Sequence, residues 1–361
     1  MIKKLLTKEN AIWISVLLIS LILNISYSVF PGFADAVNSS VSAFFRIVFA
    51  KISNIFPFSL AEILIYLSVP LAVWIAVVAI KKNKTLPCKL LFILGTLGKI
   101  LIIIYVIFII TFAPGYNAKG LDEKLGFEKK EVSAGELYDT LLYVIEMTNK
   151  YVDEISFTDS GASELPFTLS ELSDELCLAY NDVYSKFNMS GTFTSKVKPL
   201  IISPYMTYTH ISGVYSFFTG EANLNTNYPE FINVFSTAHE FAHQRGIARE
   251  DEANFMAYLI CISSNDSYVR YCGYLNMYEY LSNALYSADK DLYKEAVSRL
   301  SDAAVNELKA YSKFFDKYRN DTVSVVSDTV NDAYLKSQGT QGSVSYGMVV
   351  DLAVAYHKNC K

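Results

Sequence analysis

His239, Glu240 and His243 are the residues with which this chain could do chemistry. They stand in the run Ser236-Thr237-Ala238-His239-Glu240-Phe241-Ala242-His243-Gln244-Arg245-Gly246, which contains His-Glu-x-x-His. On a helix, side chains four positions apart lie on one face, one turn above the other. His239 and His243 can then present two imidazoles to one ion, with Glu240 beside them to hold a water on that ion. This register points to zinc plus a general base, the core of a metal-dependent peptidase. The chain has four histidines in all, His210, His239, His243 and His357, so finding two of them in this register carries weight. The plainer expectation is a buried helix whose histidines only make hydrogen bonds.

A helix must position these residues. Pro229 suits a first turn. Phe231, Val234, Phe235, Ala238, Phe241 and Ala242 recur at helical spacing and make one face apolar. Gly246 is a helix stop, so the spacing predicts a helix from about Pro229 to Arg245. A catalytic zinc also needs a third protein ligand and an open fourth position. The next segment, Ala248-Arg249-Glu250-Asp251-Glu252-Ala253-Asn254-Phe255, reads as the start of a second helix running to Ile262. Glu250 and Asn254 share a face: Glu250 is the expected third ligand, and Asn254 is expected to bond a ligand histidine and fix its tautomer. Glu252 is the rival ligand, although it faces away from Asn254. Acids are also favoured in a helix's first turn, which explains Glu250, Asp251 and Glu252 without a metal. Gly246 lies three after His243, like the turn glycine of metzincins, but the metzincin third-histidine position is Arg249, which argues for a carboxylate ligand.

Composition sets the surroundings. The chain has 361 residues, 52% of them hydrophobic, and a mean hydropathy of +0.25. That is too apolar for an ordinary soluble enzyme and implies membrane segments joined to a folded domain. A net charge of −5 gives no sign of nucleic-acid binding. The five cysteines, Cys88, Cys177, Cys261, Cys272 and Cys360, form no Cys-x-x-Cys pair, which excludes a zinc ribbon and a thioredoxin-like motif. A disulfide among the last four stays open.

Lys3, Lys4 and Lys8 precede an apolar run from Ala11 to about Phe30, long enough to span a bilayer. A signal peptide cut near Ala34-Asp35-Ala36 is the alternative. From Phe33 to Pro57, residues Val37, Val41, Phe44, Phe45, Val48, Phe49 and Ile52 form an apolar helical stripe with Arg46 and Lys51 off it. This reads as an amphipathic helix on the membrane surface or as an ordinary packed helix. Ser59 to Ile80 is a second span, with Pro70 as a tolerable kink. Leu90 to Phe112 is a third, interrupted by Lys99. Between them stand Lys81, Lys82, Lys84 and Lys89, and short lysine-rich loops face the cytoplasm. The N-terminus and this loop are then inside, and three helices (about 11–30, 59–80 and 90–112) anchor an extracytoplasmic domain over 113–361 in the lipid bilayer.

That domain reads as mostly helical with a small sheet. Val132 to Val152 and Leu169 to Phe187 have helical periodicity. Leu200-Ile201-Ile202, Gly213 to Phe218 and Glu221-Ala222-Asn223-Leu224-Asn225 read as strands. Polar residues alternate in the last, as in a half-exposed edge strand. An extended peptide could add to such an edge beside Glu221 and Asn223, although a purely structural edge is the plainer reading. Helices continue from Ile262 to about Tyr318 and over 330–336, and Ser343 to Gly347 opens a last helix from Met348 to Tyr356. Peptide hydrolysis also needs a donor for the oxyanion; Tyr346 and His210 are candidates, with simple packing or hydrogen bonding the alternative for each.

Several runs carry a family resemblance: Gly115-Tyr116-Asn117, Phe218-Thr219-Gly220-Glu221-Ala222-Asn223, Ala238-His239-Glu240-Phe241-Ala242-His243-Gln244, Glu250-Asp251-Glu252-Ala253-Asn254-Phe255, Arg270-Tyr271-Cys272-Gly273-Tyr274 and Ser345-Tyr346. With them the chain resembles, over most of its length, bacterial membrane proteins grouped as domain of unknown function 3810, which look like gluzincin-type zinc metallopeptidases. The resemblance implies that the first Glu of Glu-x-x-Ala-Asn, here Glu250, binds zinc. Many gluzincins have Asp where this chain has Asn254.

Together these readings give an α-helical membrane anchor of three transmembrane helices and an α+β zincin-like metallopeptidase domain. The expected activity is hydrolysis of a peptide or protein substrate by water activated on one catalytic zinc, with Glu240 as general base. The competing expectation is a non-catalytic membrane-anchored binding or scaffold protein with a structural zinc.

Overall fold

The computed structural model describes residues 7–319, 321–338 and 348–359. Tyr346, the 339–342 break, the start of the last helix at Ser343 and Cys360 lie outside the described residues. The chain forms two compact units: Met1–Ala118 with Ser216–Glu221, and Lys119–Tyr215 with Ala222–Lys361. The anchor expected to end near residue 112 therefore also takes in a short piece of the later chain.

The first unit is helical. Thr7 accepts from the Asn10 N–H at 3.2 Å and starts α1 (Lys8–Val29). Pro31 then occupies the first turn of α2 (Pro31–Val37), which continues through a π-turn at Asn38–Ser42 into α3 (Ala43–Ser53). Ser59 caps α4 (Leu60–Lys82) through the Glu62 N–H at 3.0 Å, and α5 spans Leu86–Thr111. Pro70 lies within α4 without ending it.

Four helices are long and apolar enough to cross a membrane, rather than the three expected: Lys8–Val29, Pro31–Ser53, Leu60–Lys82 and Leu86–Thr111. The addition is Pro31–Ser53, whose hydropathy of 1.2 is well below the 2.1 to 2.7 of the others. Its length comes from Pro31, which begins a helix instead of breaking one because a first-turn residue needs no N–H partner. The segment is thus one 23-residue helical stretch with no polar loop behind α1.

The second unit is built around α8 (Glu230–Gln244), α9 (Glu250–Ser263) and α10 (Ser267–Ala288), with α6 (Ala134–Val152) against α10 and α7 (Leu169–Lys186) against α9. The two earlier helices begin at capping boxes, Ser133 with Glu136 and Thr168 with Glu171, each of which satisfies two orphan N–H groups. Shorter packing comes from α11 (Lys290–Val297), α12 (Asp302–Asp316), α13 (Asp321–Ser337) and α14 (Val349–Asn359). Phe231 and Phe241 of α8, Phe255 and Tyr258 of α9, and Tyr271 of α10 are fully buried in one core with Tyr180 of α7. Burying side chains of this size stabilises a fold by roughly 1.5–3 kcal/mol each.

The sheet has three strands in the order β1-β3-β2: β1 (Lys198–Pro199), β2 (Gly213–Ser216) and β3 (Glu221–Leu224). β1 runs parallel to β3, pairing Lys198 with Asn223 and Pro199 with Leu224. Two expectations change. Leu200-Ile201-Ile202 is a turn after β1, with Ile201 79% exposed. The strand expected to offer a half-exposed edge, β3, is the central one, and all four of its residues are buried. Its alternating polar residues face hydrogen-bonding partners inside the protein. Glu221 accepts from the N–H groups of Leu60 and Ala61 at 2.9 and 2.7 Å, and Asn223 donates to the Val214 carbonyl at 3.1 Å. Neither side chain offers a peptide-binding edge; the outer strand on that side is β2.

Candidate metal centre

α8 carries His239 and His243 one turn apart, their ring centroids 4.5 Å apart and their planes at 87°. A tight turn then reverses the chain. Gly246 takes a φ of +94°, where only glycine is unstrained, and Glu250 follows at the start of α9. The Glu250 carboxylate reaches both rings: Oε2 lies 3.2 Å from His239 Nε2, and Oε1 lies 3.5 Å from His243 Nε2. One ligand atom from each of the three lies within 4.8 Å of the others.

The spacing suits zinc. Tetrahedral zinc with bonds of about 2.0–2.1 Å sets its ligand atoms roughly 3.3 Å apart. The tautomer suits it too: His243 Nδ1 lies 2.7 Å from the Ile247 carbonyl. An N–H there donates to that oxygen and leaves the Nε2 lone pair facing the cluster. Asn254 was expected to do this work and does not. It is buried, its Nδ2 has no hydrogen-bond partner, and no bond joins it to either histidine among the described residues. The main chain after the helix supplies the orienting group instead.

The rival ligand is tied elsewhere. Glu252 accepts from the Leu121 N–H at 2.7 Å and from the Arg249 guanidinium, so its carboxylate links α9 to the start of a short helix. Asp251 sits 3.9 Å from Lys129. Only Glu250 of the three acids turns to the histidines.

Glu240 is buried beside the cluster. Gly213 of β2 passes directly over it: a Cβ there would stand 2.6 Å from Glu240 Oε1, so the strand can approach only as glycine. The Tyr215 main chain bonds the carboxylate. Glu240 Oε2 has no partner among the described residues. Burial pushes the Glu240 carboxyl up to about 6, against the pull of the two histidines. Glu250 moves the other way. Although burial works against its charge, the adjoining imidazoles hold it well below the usual carboxylate range. For His243, burial works against the charged ring, but Glu250 outweighs it and raises the imidazole.

Of the remaining expected residues, Tyr346 lies outside the described residues. His210 closes a short 3-10 turn at φ +57°, is exposed, and packs its ring against Phe315 at 5.2 Å. Tyr280 of α10 is a residue that sequence reasoning missed. Its phenol feels the charge of Glu250; burial first, then Glu279 and Glu250, push its pKa up and keep the phenol protonated. Nothing in the sequence marks it in a chain with 26 tyrosines. Glu279 next to it is pushed up to about 7 by burial.

A cavity of about 630 Å³ lies at the other end of α8, between Ser163, Tyr228 to Phe231 and Tyr311. Phe231 and His239 are eight residues apart, about 12 Å along a helix axis. This cavity is distinct from the His–Glu cluster.

Fold and site together define a helical protein with four candidate membrane helices and a largely buried His-His-Glu cluster, beside a second carboxylate with one oxygen partnerless among the described residues. The chain belongs to the family described as "Protein of unknown function (DUF3810)", whose profile matches residues 38–354. No curated protein and no solved structure matches it.

Proposed function

We propose that this protein is a membrane-anchored zinc metallopeptidase that hydrolyses peptide bonds outside the cytoplasm. One observation carries the reading: His239, His243 and Glu250 converge at zinc-ligand spacing beside a buried Glu240 oxygen that has no partner among the described residues. His239, His243 and Glu250 would hold the metal. When bound, zinc supplies a Lewis acid and a water acidic enough to lose its proton near neutral pH.

The chain's own residues do the rest. Glu240 is mostly ionised at neutral pH with a carboxyl near 6, so it accepts the water's proton and then delivers it to the leaving amine. Gly213 and the Tyr215 main chain fix its orientation. Tyr280, a protonated phenol within the field of Glu250, is the donor proposed for the carbonyl oxygen as negative charge develops there. An extended peptide would run along β2, the outer strand, and gain main-chain hydrogen bonds without much demand on its side chains. The lysines at the N-terminus and between α4 and α5 favour a cytoplasmic side for both, with three crossings leading to an outside domain. A structural zinc is the competing reading, but such sites are closed by four protein ligands; three converge among the described residues.

The test is metal content and peptide cleavage by the full chain in detergent, beside Glu240→Gln. One zinc in both, with cleavage reduced about 100- to 10,000-fold in the variant, is expected. Cleavage by the variant at the wild-type rate would overturn the mechanism. A folded protein without zinc would overturn the metal site.

A further inference from the structure

The first unit contains an internal measure of membrane depth. α1 and α5 run the same way: Glu9 in the first turn of α1 pairs with Lys99 midway along α5, and Asn24 bonds Tyr105 further on in both. α4 and α5 are joined by Asn83 to Thr85 alone, so α4 runs against both. Val29, Leu60 and Thr111 therefore mark one end of this three-helix bundle, and Lys8, Lys82 and Leu86 mark the other.

Pro31–Ser53 begins and ends at the first of these ends. It starts two residues after Val29, and a short loop links Ser53 to the Ser59 cap of α4. Its middle touches the last carbonyls of α5: Ser42 Oγ donates to Ile110 at 2.5 Å, and Arg46 Nη1 donates to Thr111 at 2.8 Å. Its last turns, Phe49 and Ala50, pack against Gly220, whose neighbour Glu221 caps the first N–H groups of α4. A crossing helix would instead bring its middle to mid-bundle and its end to Lys82.

The side chains sort accordingly. Ala34, Asn38, Ser42, Arg46, Ala50 and Ser53 are buried, a small and polar stripe at a spacing of three to four. Phe33, Val41, Phe44 and Ile52 point outward, from 42% to 62% exposed. This inverts the pattern of a helix packed on a soluble core, and it continues the apolar surface that α1, α4 and α5 leave exposed. The inward stripe satisfies groups that lipid cannot. Arg46 bonds Asn38 and the carboxyl end of α5, and Glu221 the amino end of α4, each with the charge that the helix dipole favours there.

We propose that Pro31–Ser53 does not cross the membrane but lies in its surface, with Phe33, Val41, Phe44 and Ile52 in the boundary between lipid headgroups and acyl chains. The bilayer is its partner, and three helices cross. Charge placement agrees. Four crossings would separate the N-terminal lysines from Lys81 to Lys89 by the membrane, whereas three leave both on one side. The inference is independent of the zinc chemistry.

The test uses the full chain with Cys88 and Cys360 replaced by Ser, and single cysteines read with a membrane-impermeant maleimide in oriented vesicles. Gly32→Cys has open space around it, and Ile55 is 76% exposed. Gly32→Cys and Ile55→Cys are expected to label from the same side, and Lys84→Cys from the opposite one. Lys51→Cys repeats the second position should Ile55→Cys fail to accumulate. A spin label at Phe44→Cys is expected to be relaxed more by oxygen dissolved in lipid than by an aqueous nickel chelate. Labelling of Gly32→Cys and Ile55→Cys from opposite sides would overturn the surface placement. A Phe44 label relaxed mainly by the chelate would overturn lipid as the partner.

Discussion

Two sets of buried polar groups, one in each unit, are placed differently. In the membrane unit, Arg46, Ser42 and Glu221 spend their polar atoms on the open ends of neighbouring helices. In the second unit, Glu240 Oε2 and Asn254 Nδ2, both in buried residues near the His–Glu cluster, have no hydrogen-bond partner among the described residues. An unpartnered buried polar group costs about 1–3 kcal/mol, and a fold retains one mainly where something other than stability is served. Glu240 Oε2 is one of several such buried atoms in the molecule, and it belongs to the residue beside the His239–His243–Glu250 cluster.

Substitutions can break this contrast or sharpen it. Beyond the large loss expected for Glu240→Gln, Arg46→Met removes three hydrogen bonds from a buried guanidinium. It should destabilise the full chain by about 2–4 kcal/mol, read as a lowered melting temperature in detergent with zinc content unchanged. Equal loss of zinc would show that the two roles are not separable. Tyr280→Phe should lower kcat roughly 10- to 100-fold with KM and zinc unchanged, less than the full loss of a preorganised donor; unchanged kcat would remove Tyr280 from the chemistry. Acid should act on Glu240. Its carboxyl near 6 must be ionised to accept a proton, so kcat/KM should fall about tenfold for each pH unit below about 6. A flat profile down to pH 4.5 would exclude Glu240 as the base. The smallest effect is expected from Asn254→Leu. Its Nδ2 bonds nothing among the described residues, so zinc affinity should hold and stability should change by less than about 1 kcal/mol. A large drop in zinc affinity would restore the role first expected of it.

What the sequence makes legible follows from periodicity and local chemistry. The four-residue spacing of His239 and His243, the capping boxes at Ser133 and Thr168, and the apolar runs of α1, α4 and α5 each depend on residues close in the chain. The convergence of Glu250 with the histidines was within reach for the same reason, since a short turn separates the two helices. Other features depend on the fold's long-range packing. Glu221 and Asn223 look solvent-facing because they alternate with apolar residues, yet their partners are main-chain groups at Leu60, Ala61 and Val214. Asn254 shares a helix face with Glu250, but side-chain direction is set by neighbours that spacing does not contain. Tyr280 stands on a third helix, and the sequence does not show that the charge of Glu250 extends to it. Pro31 reads as an interruption in the sequence and acts as a helix start, because Phe30 alone separates α1 from α2.

The bond from His243 to the Ile247 carbonyl has a consequence for inheritance. The group that sets the proton on this imidazole belongs to the backbone, so no replacement of a side chain at position 247 removes it. What keeps it in place is the reversal at Gly246. A single position outside the His–His–Glu cluster thus governs which nitrogen of His243 faces that cluster, and a lineage could change every side chain around that turn and still keep the ring's orientation while the glycine survived.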